Sequence, residues 1–410
     1  MAASDDPTGR APTRRVVVRV LGIGAAALAA GCTGVDLGSL GSRGGPDAPP
    51  PSTASAPIGE PLPAPGGGPA GATPPGQTRV SLLLPLSAGG NAGAAAQSMK
   101  NAAEMALAEF NNPAVLLDVK DDGGTAQGAQ GAARQALDEG AVVILGPLFA
   151  HAVGAAAQVA RGRVPVIAFS TDSNVASRGV YLLSFLPESD VDRVVDYAAQ
   201  QGKRSFAALL PDNPYGSVVE AAFKQAVSRK GGRVTVVERY KAEGLQGPVR
   251  QIAEAAGRSD ALFIADSGDS LPRVVQALQA GGVDPKRLQL IGTGLWDDPR
   301  VFSDAALDGG WFAAPDSAGF RAFSGRYRGR YGQDPVRTAT LAYDAVALVA
   351  ALLKGGQRIS DEVLTNPSGF AGIDGVFRFR ADGTNQRGLA VLKVTTAGGQ
   401  VVSAAPRTFT

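Results

Sequence analysis

His151 and Cys32 are the only histidine and the only cysteine in the sequence, which narrows the chemistry this chain can perform. A Ser-His-Asp triad would have to use His151, yet no G-x-S-x-G elbow accompanies it. Metal clusters need several imidazoles or thiolates, and the sequence cannot supply them. No G-x-x-x-x-G-K-[ST] phosphate loop occurs. Two acidic pairs remain, Asp121–Asp122 in DDGGT and Asp297–Asp298 in LWDDP. Both sit where a loop meets a helical pattern, so carboxylates capping the next helix account for them. The sequence reads as non-catalytic, with no cofactor.

What is left suits binding. Ser87 lies in the turn-rich loop PLSAGGN, and Phe149, Ala150 and His151 follow the apolar run VVIL in GPLFAH. Ser170, Thr171 and Asp172 follow VPVIA in FSTDSN. These three can cap the next turn or present hydroxyls and backbone N–H groups to a polar ligand. Tyr215 in PDNPYG opens a helical segment and can pack or wall a cleft. Trp296 in GTGLWDDP can stack on a ligand, whereas Trp311 in GGWFA reads as core.

The elements that must position these residues are legible from periodicity. Residues 142–145 and 165–168 are short β-branched runs on either side of an Ala-rich helical segment, 150–161, a parallel βαβ unit. Upstream, strands at 80–84 and 115–119 alternate with helices at 94–110 and 127–137. A short extended crossing at 181–185 and a helix at 190–200 lead into a second βα series. Its strands are expected at 206–210, 234–239, 261–265 and 288–291, and its helices at 215–229, 249–256 and 271–280. Another crossing at 309–313, helices at 318–331 and 338–354, and a hairpin pairing 375–380 with 388–394 complete the pattern. The fold class is α/β, two doubly wound parallel-sheet lobes with a cleft between them. Ligands collect outside the carboxyl ends of parallel strands, where the candidate residues fall.

Composition agrees. With 44% hydrophobic and 19% charged residues the chain is an ordinary globular protein long enough for two cores. The formal charge of +2 arises within residues 1–31, where Arg10, Arg14, Arg15 and Arg19 face Asp5 and Asp6. The neutral remainder gives no charge argument for nucleic acid.

The arginines precede an apolar run at 20–30, too short to span a bilayer, which ends in small residues as an export signal does. Cys32 in LAAGC follows it and resembles the acylated cysteine of a bacterial lipobox, with Leu28 one place further out than usual. TRRVVVR, residues 13–19, is similar to a twin-arginine signal. Thr33 after the cysteine implies, by that resemblance, the outer membrane. Residues 32–77 then read as lipid anchor and tether: 44–76 hold eleven prolines with Gly, Ala and Ser and cannot form a core.

LLLPLS, ILGP, VPVIAFSTD, PDNPYG and the closing hairpin resemble the type I periplasmic binding proteins, typified by leucine/isoleucine/valine-binding proteins, over residues 78 to about 405. The resemblance implies two lobes that exchange the chain three times and close on a ligand. Lobe one is expected at 78–186 plus 311–373 and lobe two at 187–310 plus 374–405. KDDGGT, GTGLWDDP, GGWFAAP, LAYDAVAL and GFAGIDGVFRFRADG further resemble the penicillin-binding-protein activator lipoproteins. That branch implies a regulator of a peptidoglycan synthase. The alternative is the substrate-binding subunit of an ABC importer, working with a permease on an amino acid or similar small polar ligand. In amino-acid receptors of this family a hydroxyl residue follows strand three, where this chain has Phe149, Ala150 and His151. The carboxylate loop is matched by Ser170, Thr171 and Asp172, although Asp172 repels a carboxylate unless it caps its own turn. Tyr215 matches the family's tyrosine, but the acid that receives an ammonium is replaced by the GTG of 292–294, leaving Asp297 or Asp298 to substitute.

Overall fold

The computed structural model describes residues 73–409 apart from Pro75, Pro113 and Ala242. The expected leader, Cys32 and most of the expected tether lie outside them. The tether was expected to run to residue 77, yet Thr73 already donates to the Glu139 carbonyl and accepts from Arg79 Nε. Arg79 and Lys120, both buried, share Asp118 and Glu139 at that edge, with Lys120 Nζ 2.9 Å from each acid.

The first sheet is β1 (Thr78–Leu84), β2 (Val115–Asp121), β3 (Val143–Leu145), β4 (Val166–Ala168) and β5 (Val180–Leu182). They lie in the order β2-β1-β3-β4-β5, all parallel. Continuous apolar runs such as SLLL suit such strands because both faces are covered. Alternation decides which cover each side chain meets. Val80, Leu82 and Leu84 join one core with α1 (Gly90–Phe110), while Leu83 joins the other with α2 (Ala126–Asp138) and α3 (Ala150–Ala160). The crossing expected at 181–185 begins instead as a fifth strand, β5, which ends at Leu182, and the chain leaves the lobe over the residues that follow.

The second lobe begins with α4 (Pro187–Gln200). It continues through β6 (Ser205–Pro211), α5 (Pro214–Arg229), β7 (Arg233–Tyr240), α6 (Gln246–Ala256), β8 (Ala261–Ile264), α7 (Leu271–Ala280), β9 (Gln289–Gly292), α8 (Pro299–Phe302) and β10 (Trp311–Ala314). In β6, Ala207 and Leu209 pack under α6 and α7, and Phe206, Ala208 and Leu210 pack under α4 and α5. The chain then returns through α9 (Ser317–Tyr331), α10 (Ala339–Lys354) and α11 (Asp361–Leu364), of which α9 and α10 close the first core beside α1.

Three expectations about the closing part need correction. β10, placed in lobe one by the sequence, pairs parallel with β9 and belongs to the second sheet. The hairpin of 375–380 with 388–394 does not form. Instead β11 (Phe370–Gly372), β12 (Gly375–Phe379) and β13 (Asn385–Arg387) make a small antiparallel sheet. Phe377 and Phe379, two apart on one face, enter the first core, so this sheet belongs to lobe one and not to lobe two. β14 (Ala390–Thr395) and β15 (Gly398–Ser403) then extend the second sheet to the order β15-β14-β10-β9-β8-β6-β7. The chain changes lobes at about 183–187, 315–316 and 388–389. Pairing partners set these boundaries, and local pattern does not reveal them.

Candidate functional site

The loops at the carboxyl ends of β1 to β4 are tied to one another. The Ser87 N–H donates to Asp121 Oδ1 at 3.2 Å. Burial alone would raise the Asp121 carboxyl, but hydrogen bonds from Ser87 and the Gly123 N–H outweigh it and hold it below the usual range. Its neighbour Asp122 is buried and raised by that burial, against the opposing Gly124 N–H; its Oδ2 has no partner among the described residues. Thr125, not either aspartate, caps α2 by accepting from Gly128 N.

After β3, Phe149 is the N-cap residue of α3 and its ring lies parallel to His151, centroids 5.9 Å apart. The exposed His151 ring donates from Nε2 to the Gly124 carbonyl at 2.8 Å, because a carbonyl can only accept. Ala150 begins the helix half-buried. These residues therefore pin the β3 loop to the β2 loop. After β4, buried Ser170 accepts from the Asp172 N–H through Oγ at 3.1 Å. Asp172 Oδ1 accepts from the N–H and Nδ2 of Asn174, so Asp172 caps its own turn; Thr171 is exposed beside it. Of the two roles open to this loop, capping is the one its side chains perform within the protein. Ser173 then donates to Glu188 Oε1 at 2.7 Å, joining this loop to the first turn of α4 in the other lobe, and Glu188 Oε2 is buried without a partner among the described residues.

In the second lobe Asn213 caps α5, which begins at Pro214, and sets Tyr215 in the first turn. The Tyr215 hydroxyl meets Thr293 Oγ1 at 2.9 Å, and burial raises its pKa. The N–H of Gly294, in the loop where the family's acid was expected, donates to Asp190 Oδ2 at 2.9 Å. Burial pushes Asp190 up to about 7, against the Gly294 N–H and the charge of Arg387. Asp297 has an exposed side chain whose carboxyl is nonetheless raised by desolvation and by its neighbour Asp298, against the charges of Arg337 and Arg321, and Asp298 caps α8 and binds Arg300.

Trp296 does not face a ligand. It is completely buried, its Nε1 donating to the Ile264 carbonyl at 3.1 Å. Gly292 and Gly310 make the space: a Cβ on them would lie 2.1 Å and 2.9 Å from the indole. Those two glycines, bracketing the tryptophan in GTGLW and GGWFA, were the available sign that it is core. Trp311, by contrast, is half-buried and meets Tyr197 edge to face.

Glu188, Asp190 and Thr293 escaped the sequence reading. PESD after a crossing reads as an ordinary acidic helix start, and nothing local says that Glu188 reaches back to the β4 loop or that Asp190 reaches Gly294, 104 residues on. Of two surface hollows, one of about 540 Å³ lies beside Arg300, and one of about 380 Å³ between α2 and α3 takes in His151 but none of Ser170, Thr171, Asp172 and Tyr215. No group of His, Cys, Asp and Glu suited to a metal occurs among the described residues.

Residues 77–400 match the family model described as periplasmic binding protein. The chain belongs to that family. No curated protein matches the sequence. Among solved structures, a Rhodospirillum rubrum protein assigned to branched-chain amino acid ABC transport is 21% identical, with a TM-score of 0.71, covering 80% of this chain and 100% of that one. A branched-chain amino acid ABC transporter periplasmic ligand-binding protein from Burkholderia xenovorans is 18% identical, with a TM-score of 0.64 and coverage of 81% and 96%. A solute-binding protein of an ABC transporter from Rhodopseudomonas palustris, in complex with 3,4-dihydroxybenzoic acid, is 22% identical, with a TM-score of 0.58 and coverage of 82% and 97%. These similarities establish the fold that the periplasmic binding protein family shares: parallel-sheet lobes with loops gathered at the strand ends.

Proposed function

We propose that this chain is the solute-binding subunit of an ABC importer, taking a small polar molecule between the strand-end loops of its two lobes in the periplasm. The observation that carries this reading is the pairing of loops across the lobes: the β4 loop with Ser170, Thr171 and Asp172 is joined through Ser173 to Glu188, beside Asp190 and Tyr215 on the other wall. In this reading the two walls offer hydroxyls and carboxylates to one solute, and Ser87, Phe149, Ala150 and His151 belong to the outer end of its site. Neighbours of the same fold carry branched-chain amino acid and dihydroxybenzoate descriptions, in keeping with a cleft that serves small solutes.

A second reading has one observation in its favour. Gly294 stands where an amino-acid receptor would place its ammonium acceptor, and its N–H is already taken by Asp190. A buried ammonium without a facing carboxylate is costly. That favours a regulator of a peptidoglycan synthase acting through protein contact, held at the outer membrane by a lipid on Cys32.

Calorimetry on the full chain against the proteinogenic amino acids, hydroxybenzoates and muropeptides separates the two. A micromolar solute supports the importer. No heat with any of them, together with capture of a peptidoglycan synthase by the immobilised chain, overturns it in favour of the regulator.

A further inference from the structure

The three chain crossings are bound by a stack of rings and cations whose rings are not among the residues of the proposed solute site, although the charge of Arg387 reaches Asp190 on its wall. Phe185, in the first crossing, is met by two arginines: the Arg337 guanidinium lies 4.5 Å and that of Arg387 4.7 Å from its ring centroid. Arg337 also lies 4.6 Å from Phe320, in the first turn of α9 just past the second crossing. Arg387, at the third crossing, lies 5.7 Å from Phe377. The order Phe320, Arg337, Phe185, Arg387, Phe377 therefore alternates ring and guanidinium through all three crossings.

Polar contacts fix both cations. Arg337 binds Asp374 with two nitrogens, at 2.7 and 3.0 Å, and Thr340 donates to the same carboxylate at 2.6 Å. The Ser184 carbonyl, next to Phe185, accepts from Arg387 Nε at 2.8 Å and from Asn385 Nδ2 at 2.7 Å. Arg387 is 5% exposed, and its NH1 and NH2 have no hydrogen-bond partner among the described residues. The charges of Asp374, Asp344 and Asp190 act on this guanidinium, and the ring faces of Phe185 and Phe377 lie against it, where desolvation strengthens cation–π attraction.

We propose that this ladder is the stiffening element of the hinge, holding the three crossings as one unit, so that the lobes can change their angle only by unstacking Arg337 or Arg387 from Phe185. The test is hydrogen–deuterium exchange of the full chain for the wild type, Arg337→Lys, Phe185→Leu and the control Arg326→Lys. Arg326 lies 5.9 Å from Tyr343, away from the crossings. Lysine at 337 keeps the charge opposite Asp374 but loses the planar stack, which separates ion pairing from stacking. Leu183 and Gly388, whose N–H groups donate to Ala168 and Val376, report on the first and third crossings. Their exchange is expected to quicken about threefold in Arg337→Lys, whose guanidinium is half-exposed, and about tenfold in Phe185→Leu, which also removes the contact of the buried Arg387. β3 and β8 should stay protected, and the control should match the wild type. Unchanged exchange at the crossings overturns the proposal. So does an equal loss of protection in the crossings and in β3, which would make the ladder ordinary lobe-one packing.

Discussion

Asp344→Asn is expected to make the protein less sensitive to pH between 5 and 7. Asp344 lies on α10, is 3% exposed, and accepts from the Ile373 N–H at 2.8 Å through Oδ1. Its Oδ2 has no partner among the described residues and faces Gly372, where a Cβ would come within 2.4 Å. Burial pushes this carboxyl from 3.8 up to about 7, against the Ile373 N–H and the charge of Arg387. An acid whose pKa is raised on folding holds its proton in the native state where the unfolded chain has released it. The associated stability is fully present below the unfolded value of 3.8 and is lost as pH rises towards 7. The slope inside that window approaches ~1.4 kcal/mol per pH unit, so moving from pH 5 to pH 7 removes about 2 kcal/mol through this one group. Asparagine keeps the acceptor for Ile373 and cannot ionise. Urea midpoints of wild type and variant at pH 5, 6 and 7 read the difference: the wild type should lose about 2 kcal/mol more than the variant across the series. Asp190, also raised to about 7, gives both proteins a shared slope, so the variant's curve should not become flat. Parallel curves would refute the reasoning, because Asp344 would then be ionised or solvated in the folded state.

Two further outcomes follow from the site. Trp296→Ala should cost about 3–5 kcal/mol in urea or thermal unfolding, because it empties a fully buried volume; a near-neutral effect would return Trp296 to the role of a ligand-stacking residue. Tyr215→Phe should lower stability by about 1 kcal/mol, since it leaves the buried Thr293 hydroxyl without its 2.9 Å partner; unchanged urea midpoints would mean that water replaces the phenol.

Much of the fold was legible because its signals are local. The β-branched runs of β3 and β4 and the Ala-rich α3 between them lie within a residue or two of their expected places. Each reflects a periodicity that a short window contains. The loops at the strand ends were legible for the same reason, since parallel topology fixes which end faces the ligand. The departures come where partners are far apart in sequence. β10 looks like a crossing because it is short, and only its pairing with β9 and β14 makes it a strand of the second sheet. The hairpin error is similar: Phe377 and Phe379 alternate as any strand would, and which core they enter is not written in their spacing.

The site shows the same division. The sequence by itself determined which chemistries this chain lacks, with one imidazole and one thiol, and which loops carry hydroxyls, carboxylates and aromatic rings. Tertiary structure alone decided what those groups do. It buried Trp296 against two glycines, turned Asp172 onto its own turn, and brought Asp190 to the Gly294 N–H. It also drew Phe185, Phe320, Arg337, Arg387 and Phe377 from five separate stretches into one ladder across the crossings. The physical reason is range. Periodicity and turn preference act over a few residues, whereas burial, desolvation and ring–cation stacking depend on neighbours that only the folded chain supplies.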